Sequence, residues 1–389
     1  MTDRQQSASR ENDRRSLLGN ARRIVVKVGT GVVCDADQQF DPRQIAALAA
    51  NIAELAAEGR QVVLVSSGAI ALGADELGIH RTRLRDASVT RACAAVGQCR
   101  LMHAYAEAFR PHELAVAQVL VTEDDFTDLK RHSILRQTFE KLLKLGAIPV
   151  VNENDTVTNI YTEQAPVFRD NDRLAALVLS KLDADALILL SNVDGLYESD
   201  GEQLNKNKII PVITEMTSSL RGAARGGSAL GRGGMTAKLD AAEIAMHAGG
   251  LVIIANGNTP IILHKIFQGE PVGTLFLPKA KMAGKRRWLA FATTVRGHVA
   301  INANARKALL NGRASLLISG VTACEGDFSS GQVIAIQDSG GSAIGRGIAE
   351  CGSRELTALL AGDAPLKGVL VRRENFLVLP ALEHANAHA

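Results

Sequence analysis

The sequence predicts an α/β protein: a three-layer αβα domain on a mostly parallel sheet, followed by a small β-rich domain. Three observations carry this expectation. Continuously apolar runs at 24–28, 61–65, 147–151, 186–190 and 251–254 alternate with stretches of helical period, the rhythm of βαβ units whose strands are buried on both faces. Gly-, Ser- and Asx-rich turns follow these strands, where open α/β sheets bind ligands. After residue 277 the pattern changes to short apolar runs at 316–318, 332–336 and 369–371 separated by Gly, Ser and Asn, which suits a small β-rich unit.

Each element has its own signal. Residues 1–20 are rich in Arg, Gln, Ser and Asp without hydrophobic period and read as a disordered tail. Asp3, Glu11 and Asp13 interrupt the basic face that a transit peptide requires. In the main domain, 21–277, Asp41 and Pro42 form an N-cap and first-turn pair; Ile45, Leu48, Ile52 and Leu55 share one helical face, and Gly59 ends the helix. Further helices are expected at 134–145, 174–181 and 237–247. A basic, helix-poor stretch at 278–287, with Lys279, Lys281, Lys285, Arg286 and Arg287, reads as part of a linker covering 278–290. The remainder, 291–389, is the small domain and C-terminal tail, with one helix expected at 302–310.

Composition narrows the classes. A chain of 389 residues is long for one core, and 46% hydrophobic with 22% charged residues is ordinary globular usage. No apolar run approaches the roughly 20 residues that span a bilayer, and the polar start lacks a secretory apolar core, so the cytoplasm is the expected location and no membrane partner is expected. Five scattered cysteines without a C-x-x-C pair indicate neither a disulfide framework nor a zinc site. A formal charge of +3 does not by itself imply a nucleic-acid partner.

Five segments could carry chemistry. Lys27 ends an apolar strand that opens into Gly29-Thr30-Gly31; this is either a phosphate loop or a strand-end lysine before a tight turn. Ser66-Ser67-Gly68 follows the next strand, as a close-approach site for ligand or as a plain strand-to-helix turn. Asn152-Glu153-Asn154-Asp155 and Arg169-Asp170-Asn171-Asp172 could hold an ammonium, orient a carboxylate or organise Mg²⁺, and equally could be turns and a helix cap. Ser191-Asn192-Val193-Asp194-Gly195 turns at the end of an apolar strand. The last segment, 225–238, is too rich in glycine to pack a core and ends on Lys238 at a helix start. It is not a P-loop, because Arg232 and Gly233 stand where Lys and Ser or Thr are required, and no G-x-G-x-x-G follows the first strand.

Taken together and in this order, VVKVGTG, SSGAIALG, AAVGQ, VVNENDTV, RDNDRLAAL, SNVDGLY and GRGGMTAK resemble the amino-acid kinase family, in its glutamate-phosphorylating branch, with a PUA-like C-terminal region. The resemblance runs from Arg23 onward. It implies the amino-acid kinase fold and ATP-dependent phosphorylation of the glutamate side-chain carboxylate, on the route to proline. It implies that Lys27 contacts ATP phosphate, that Ser67, Asp155 and Asn171 hold glutamate, and that Ser191, Asn192, Arg232, Gly233, Gly234, Met235, Thr236, Ala237 and Lys238 bind ATP. Ser191-Asn192 departs from the family's usual Thr-Asp or Ser-Asp, and Arg232 from Thr or Ala. Mg²⁺ accompanies the nucleotide; a homo-oligomer and coupling to glutamyl-phosphate reductase are implied in the same way.

A carboxylate is already ionised at neutral pH, so no general base is needed, and the difficulty is bringing it to a polyanion. Lys27, Lys238 and Asp172 are therefore the expected catalytic residues, with Lys27 and Lys238 flanking the phosphates, the Gly29–Gly31 amides on the transferred group, and Asp172 or Asp170 orienting a lysine or a metal-bound water. Competing expectations are an acyl-phosphate kinase acting on aspartate or acetylglutamate, a carbamate or UMP kinase, and RNA binding through the PUA-like region. One Trp and three Tyr are few for base stacking.

Overall fold

A computed structural model of the chain describes residues 14–34, 40–157, 170–200, 203–225, 234–291, 295–312, 314–362 and 365–378. The chain divides into two compact units, residues 1–282 and 283–389.

The first unit is built on an eight-stranded sheet. Its strands are β1 (Arg23–Val28), β2 (Gln61–Ser66), β3 (Val116–Val121), β4 (Ile148–Glu153), β5 (Ala186–Ser191), β8 (Val212–Ile213), β9 (Leu251–Asn256) and β10 (Thr274–Phe276), in the order β3-β4-β2-β1-β5-β9-β10-β8. A separate hairpin supplies β6 (Tyr197–Asp200) and β7 (Gln203–Ile209). The six strands from β3 to β9 run parallel, and β10 reverses against β9. Because β1 sits between β2 and β5, the connections leave it in opposite directions, which opens a crevice at its carboxyl end.

The helices of this unit that frame the sheet include α1 (Thr30–Val33), α2 (Pro42–Ala57), α3 (Ala69–Glu76), α4 (Ala87–Phe109), α5 (Leu129–Lys144), α6 (Asn171–Leu182), α7 (Ser218–Arg225), α8 (Met235–His247) and α9 (Ile262–Phe267). Strand alternation decides which face each side chain meets. Ile24, Val26 and Val28 of β1 join the core with Ile45, Ile52, Leu101, Tyr105 and Ile262 of α2, α4 and α9. Lys27 therefore points to the other face, where α6 and α8 lie.

Two helix starts confirm the capping logic and move a boundary. Asp41 caps α2 through Arg43 N–H, and Asp170 Oδ1 accepts from Arg173 N–H at 2.9 Å. Asp170, and not Asp172, is thus the cap, and α6 starts three residues earlier than its apolar period suggests. Likewise α5 begins at Leu129 on an Asp128 cap, ahead of the expected 134.

Two sequence expectations are corrected. Of the segment read as a disordered tail, residues 14–19 are helical, Leu18 is fully buried in the core and Arg14 is 4% exposed with Nη2 donating to Val272 O; one leucine and an arginine stem suffice to dock so short a helix. Within the segment read as linker, Gly284–Phe291 forms α10, whose last five residues, from Arg287 through Trp288 and Leu289 to Phe291, are all buried.

In the second unit, β11 (Gly297–Ile301), β13 (Val321–Gly326), β14 (Val333–Asp338), β15 (Ala343–Ile348) and β17 (Phe376–Val378) form a five-stranded sheet in the order β13-β11-β14-β15-β17. A two-stranded ribbon pairs β12 (Leu316–Leu317) with β16 (Val369–Val371). Helices α11 (Ala303–Leu310) and α12 (Ser353–Ala361) complete the unit, whose own core gathers Val299, Ile301, Ile334, Ile336, Leu356 and Leu370.

The 23-residue α4 has no narrow apolar stripe, and periodicity alone does not reveal it. Glycine makes it fit. A Cβ on Gly97 would stand 1.7 Å from Ala69 O, and one on Gly73 would stand 1.8 Å from Cys93 O, so α3 and α4 touch backbone to backbone. Gly97→Ala should force the helices apart, costing about 3 kcal/mol or more and lowering Tm by roughly 6–12 °C in a thermal melt.

Candidate active site

The carboxyl ends of β1, β2, β4, β5 and β9 meet at one edge of the sheet. Parallel register fixes this: Lys27 lies opposite Val65 of β2 and Leu189 of β5, Val28 opposite Ser66, and Ser191 opposite Asn256. Lys27 comes from β1 and Lys238 from the first turn of α8, more than 200 residues apart in sequence. Both reach Asp172 in the first turn of α6. Lys27 Nζ is 2.7 Å from Asp172 Oδ1, and Lys238 Nζ is 2.9 Å from Oδ2. Asp172 is fully buried, and the lysines are 6% and 7% exposed.

Burial alone would push the Asp172 carboxyl up, but the two ammonium groups outweigh it and hold it below the usual carboxylate range. Asp170 shifts the other way: burial first, and then the charge of Asp172, raise it. The two carboxylates on one helix turn are thereby separated, one firmly ionised and the other easier to protonate.

On the β2 and β4 side lies a network of amides and hydroxyls. Asn171 Nδ2 donates toward Ser66 O at 3.1 Å, Ser67 Oγ at 3.0 Å and Asn152 Oδ1 at 3.1 Å. Asn152 in turn donates to Gln98 Oε1 at 3.0 Å. Ser67 and Asn171 are therefore in contact, while Asp155 lies in the half-buried turn just past the end of β4. Sequence reasoning placed Asn152 in a cluster able to hold an ammonium, orient a carboxylate or organise Mg²⁺, and gave Gln98 no role. Both are more than nine-tenths buried, and among the described residues Gln98 Nε2 has no hydrogen-bond partner; the signal for Gln98 was a polar side chain inside AAVGQ.

On the β5 and β9 side, Ser191 is 7% exposed and its buried Oγ has no hydrogen-bond partner among the described residues. Asn192 is exposed, and its Cβ lies 3.9 Å from the position a Cβ would take on Gly31, so the first glycine loop and the Ser191-Asn192 turn are neighbours. Gly29 corrects one expectation: its N–H donates to Leu190 O at 3.1 Å and is not available to a phosphate. The N–H groups of Thr30 and Gly31, in the first turn of α1, have no intrahelical partner.

Gly234 is the N-cap of helix α8, and among the described residues no side chain caps it. Met235 and Thr236 thus present uncapped amides of the kind that attract anions, one turn from Lys238. Ala237 N–H returns to Gly234 O. Arg232 and Gly233 lie outside the described residues, as does Arg169. Arg221 of α7 ties to α8, with Nη1 2.7 Å from Asp240 Oδ1 and Nη2 on Glu243.

The arrangement supplies two ammonium groups fixed by one carboxylate, flanked by an amide-rich pocket wall on one side and an unsatisfied hydroxyl on the other. Such a site neutralises a polyanion while orienting a smaller polar partner.

Known proteins place this architecture. The family model described as "Amino acid kinase family" matches residues 22–256, and that described as "PUA domain" matches 297–364. The chain is 41% identical over 344 residues to a glutamate 5-kinase of Myxococcus xanthus, covering 88% of this chain and 90% of that one. It is 38% identical over 377 residues to a glutamate 5-kinase of Geobacter sulfurreducens, covering 94% and 100%. A glutamate 5-kinase of Burkholderia multivorans is 40% identical over 343 residues, covering 88% and 91%.

The buried trio makes a prediction about stability. A carboxylate held low contributes stability above its unfolded value, near 3.9, and loses it as pH falls through the lower folded value. Asp172→Asn should cost about 3–5 kcal/mol near neutral pH, since it strands two buried ammonium groups. The Tm gap between wild type and variant should shrink below about pH 4, as wild-type Asp172 takes up its own proton.

Proposed function

The chain belongs to the amino acid kinase family, and from that premise we propose that it transfers the γ-phosphoryl group of ATP to the side-chain carboxylate of L-glutamate, giving L-glutamyl 5-phosphate and ADP at the start of proline biosynthesis. The observation that carries the reading is Asp172 gripping Lys27 and Lys238 at 2.7 and 2.9 Å, because that holds two cations ready for the transferring phosphate. The glutamate 5-kinase relatives, matched over most of the chain, supply the acceptor.

A glutamate carboxylate, with a pKa near 4.3, is the nucleophile as it stands. Its oxygen attacks the γ-phosphorus, the bond to the bridging β,γ-oxygen breaks, and that oxygen leaves on ADP. Lys27 and Lys238 offset the charge on the phosphoryl group in transit, and Asp172 keeps both ammonium groups in place between turnovers. Thr30 and Gly31 amides, with those of Met235 and Thr236, line the phosphate path. Ser67 and Asn171 orient glutamate by hydrogen bonds, and Asp155 takes its ammonium. Ser191 and Asn192 face the nucleoside, with Gly234, Ala237 and, beyond the described residues, Arg232 and Gly233 completing the ATP wall.

Among the described residues no three His, Cys, Asp or Glu side chains form a metal cage, and Asp172 is taken by the lysines. That donor set fits Mg²⁺ that arrives on ATP and keeps its waters, with Asp170 orienting one of them. Bound so, Mg²⁺ would neutralise phosphate charge. The product, an acyl phosphate, is short-lived in water, which supports coupling to glutamyl-phosphate reductase. ATP and free glutamate are cytoplasmic solutes, and the reaction is placed there.

ATP turnover should appear with L-glutamate and not with L-aspartate or N-acetylglutamate, and hydroxylamine should trap the product as the hydroxamate. Activity confined to aspartate would sink the reading. Lys238→Ala should lower kcat by at least about tenfold with the fold intact, because one preorganised charge is lost.

A further inference from the structure

We propose that Tyr105, deep in the core, is a positioning residue for the acceptor half of the site: its hydroxyl, through Ser66, fixes the peptide plane that follows Ser67. Tyr105 and Ser66 are both fully buried. Tyr105 OH lies 2.7 Å from Ser66 Oγ, and Ser66 Oγ lies 3.1 Å from Ser67 O.

Counting protons gives the relay a direction. Ser67 O can only accept, so the single Ser66 hydroxyl proton points to it, and the Tyr105 hydroxyl must donate to Ser66 Oγ. Burial pushes the Tyr105 phenol up, which keeps that donor protonated.

The Ser67 carbonyl and the Gly68 N–H belong to one planar trans peptide and point in opposite directions. Fixing the carbonyl inward, toward α4, therefore sets the Gly68 N–H outward and fixes the start of α3. An anchor is required here because Gly68 has φ +110°, where only glycine rotates freely, and its own backbone offers little resistance to tilting. Asn171 grips the same point from α6.

Helix α4 is well placed to act as the fixed support. Its crossing with α3 is set by Gly73 and Gly97, and Gln98, seven residues before Tyr105 and on the same face, holds Asn152 at the end of β4. One helix thus registers the ends of both strands that carry acceptor-side residues.

The effect on glutamate rests on the functional reading above; the relay does not. Tyr105→Phe keeps the ring and deletes only the donor. Hydrogen exchange of the apo protein, followed by mass spectrometry, should quicken about fivefold or more at residues 66–69, with the rest of the sheet unchanged. Loss of a buried hydrogen bond is worth up to about a factor of ten, so KM for glutamate should rise about five- to tenfold while kcat and KM for ATP stay within about twofold. Ser66→Ala should reproduce both effects, and the double variant should be no worse than either single one; if Tyr105→Phe fails to fold, Ser66→Ala supplies the same readings. Unchanged exchange at 66–69, an unchanged KM for glutamate, a parallel rise in KM for ATP, or additive single effects would each overturn the proposal. If the wild type turns over no glutamate, the functional reading falls, and exchange at 66–69 alone decides the relay.

Discussion

The structure turns on one carboxylate. Asp172 is fully buried with an ammonium group on each oxygen, and the trio carries a net positive charge inside a sheet edge. Burying three charges costs more than their mutual attraction returns unless geometry is good and the remaining donors find partners. The net positive charge suits the arrangement to the role proposed for it, the reception of phosphate oxygens. Asp170 is raised first by its own burial and second by the charge of Asp172, against the pull of the two lysines.

Much of the remainder serves to deliver these three side chains to one point. Lys27 reaches the α6 face because strand alternation sends Val26 and Val28 into the opposite core. Asp172 arrives because Asp170 caps α6 and so places Asp172 in its first turn. Lys238 arrives because α8 packs beside α6 with its first turn at the same edge. Arg221, tied to Asp240 and Glu243, adds a second fixed relation between α7 and α8 on either side of the glycine-rich segment.

The residues proposed for the phosphate half of the site stand out in the sequence because they carry local signals: a lysine at a strand end, a glycine run before a helix, Asx residues at a cap. The acceptor half was legible only in part. Ser67 and Asn171 were identifiable at turns, but Gln98, Asn152 and Tyr105 lie inside a helix and a strand where polar residues look like satisfied core. Their meaning depends on which elements touch, and no spacing rule reports that. The same limit hid α4, whose small residues spread around the helix instead of forming a stripe, and the docking of residues 14–19, which rests on one buried leucine and the buried Arg14.

The two halves also differ in how they are built. On the phosphate side, recognition is by charge, which acts over several ångströms and tolerates the rotamers of two long lysines. On the acceptor side, recognition is by neutral hydrogen bonds, which weaken steeply with misalignment. A glutamate carboxylate must be presented to phosphorus within a fraction of an ångström and a few degrees, so the neutral side is the one that needs a rigid backing. That is where backbone-to-backbone contact of Gly73 and Gly97 leaves no slack, and where the network from Gln98 to Ser67 runs from the buried core to half-buried Asn171 and Ser67. Precision is thus concentrated on the substrate whose atoms make the new bond, and the softer electrostatic grip is left to the polyanion.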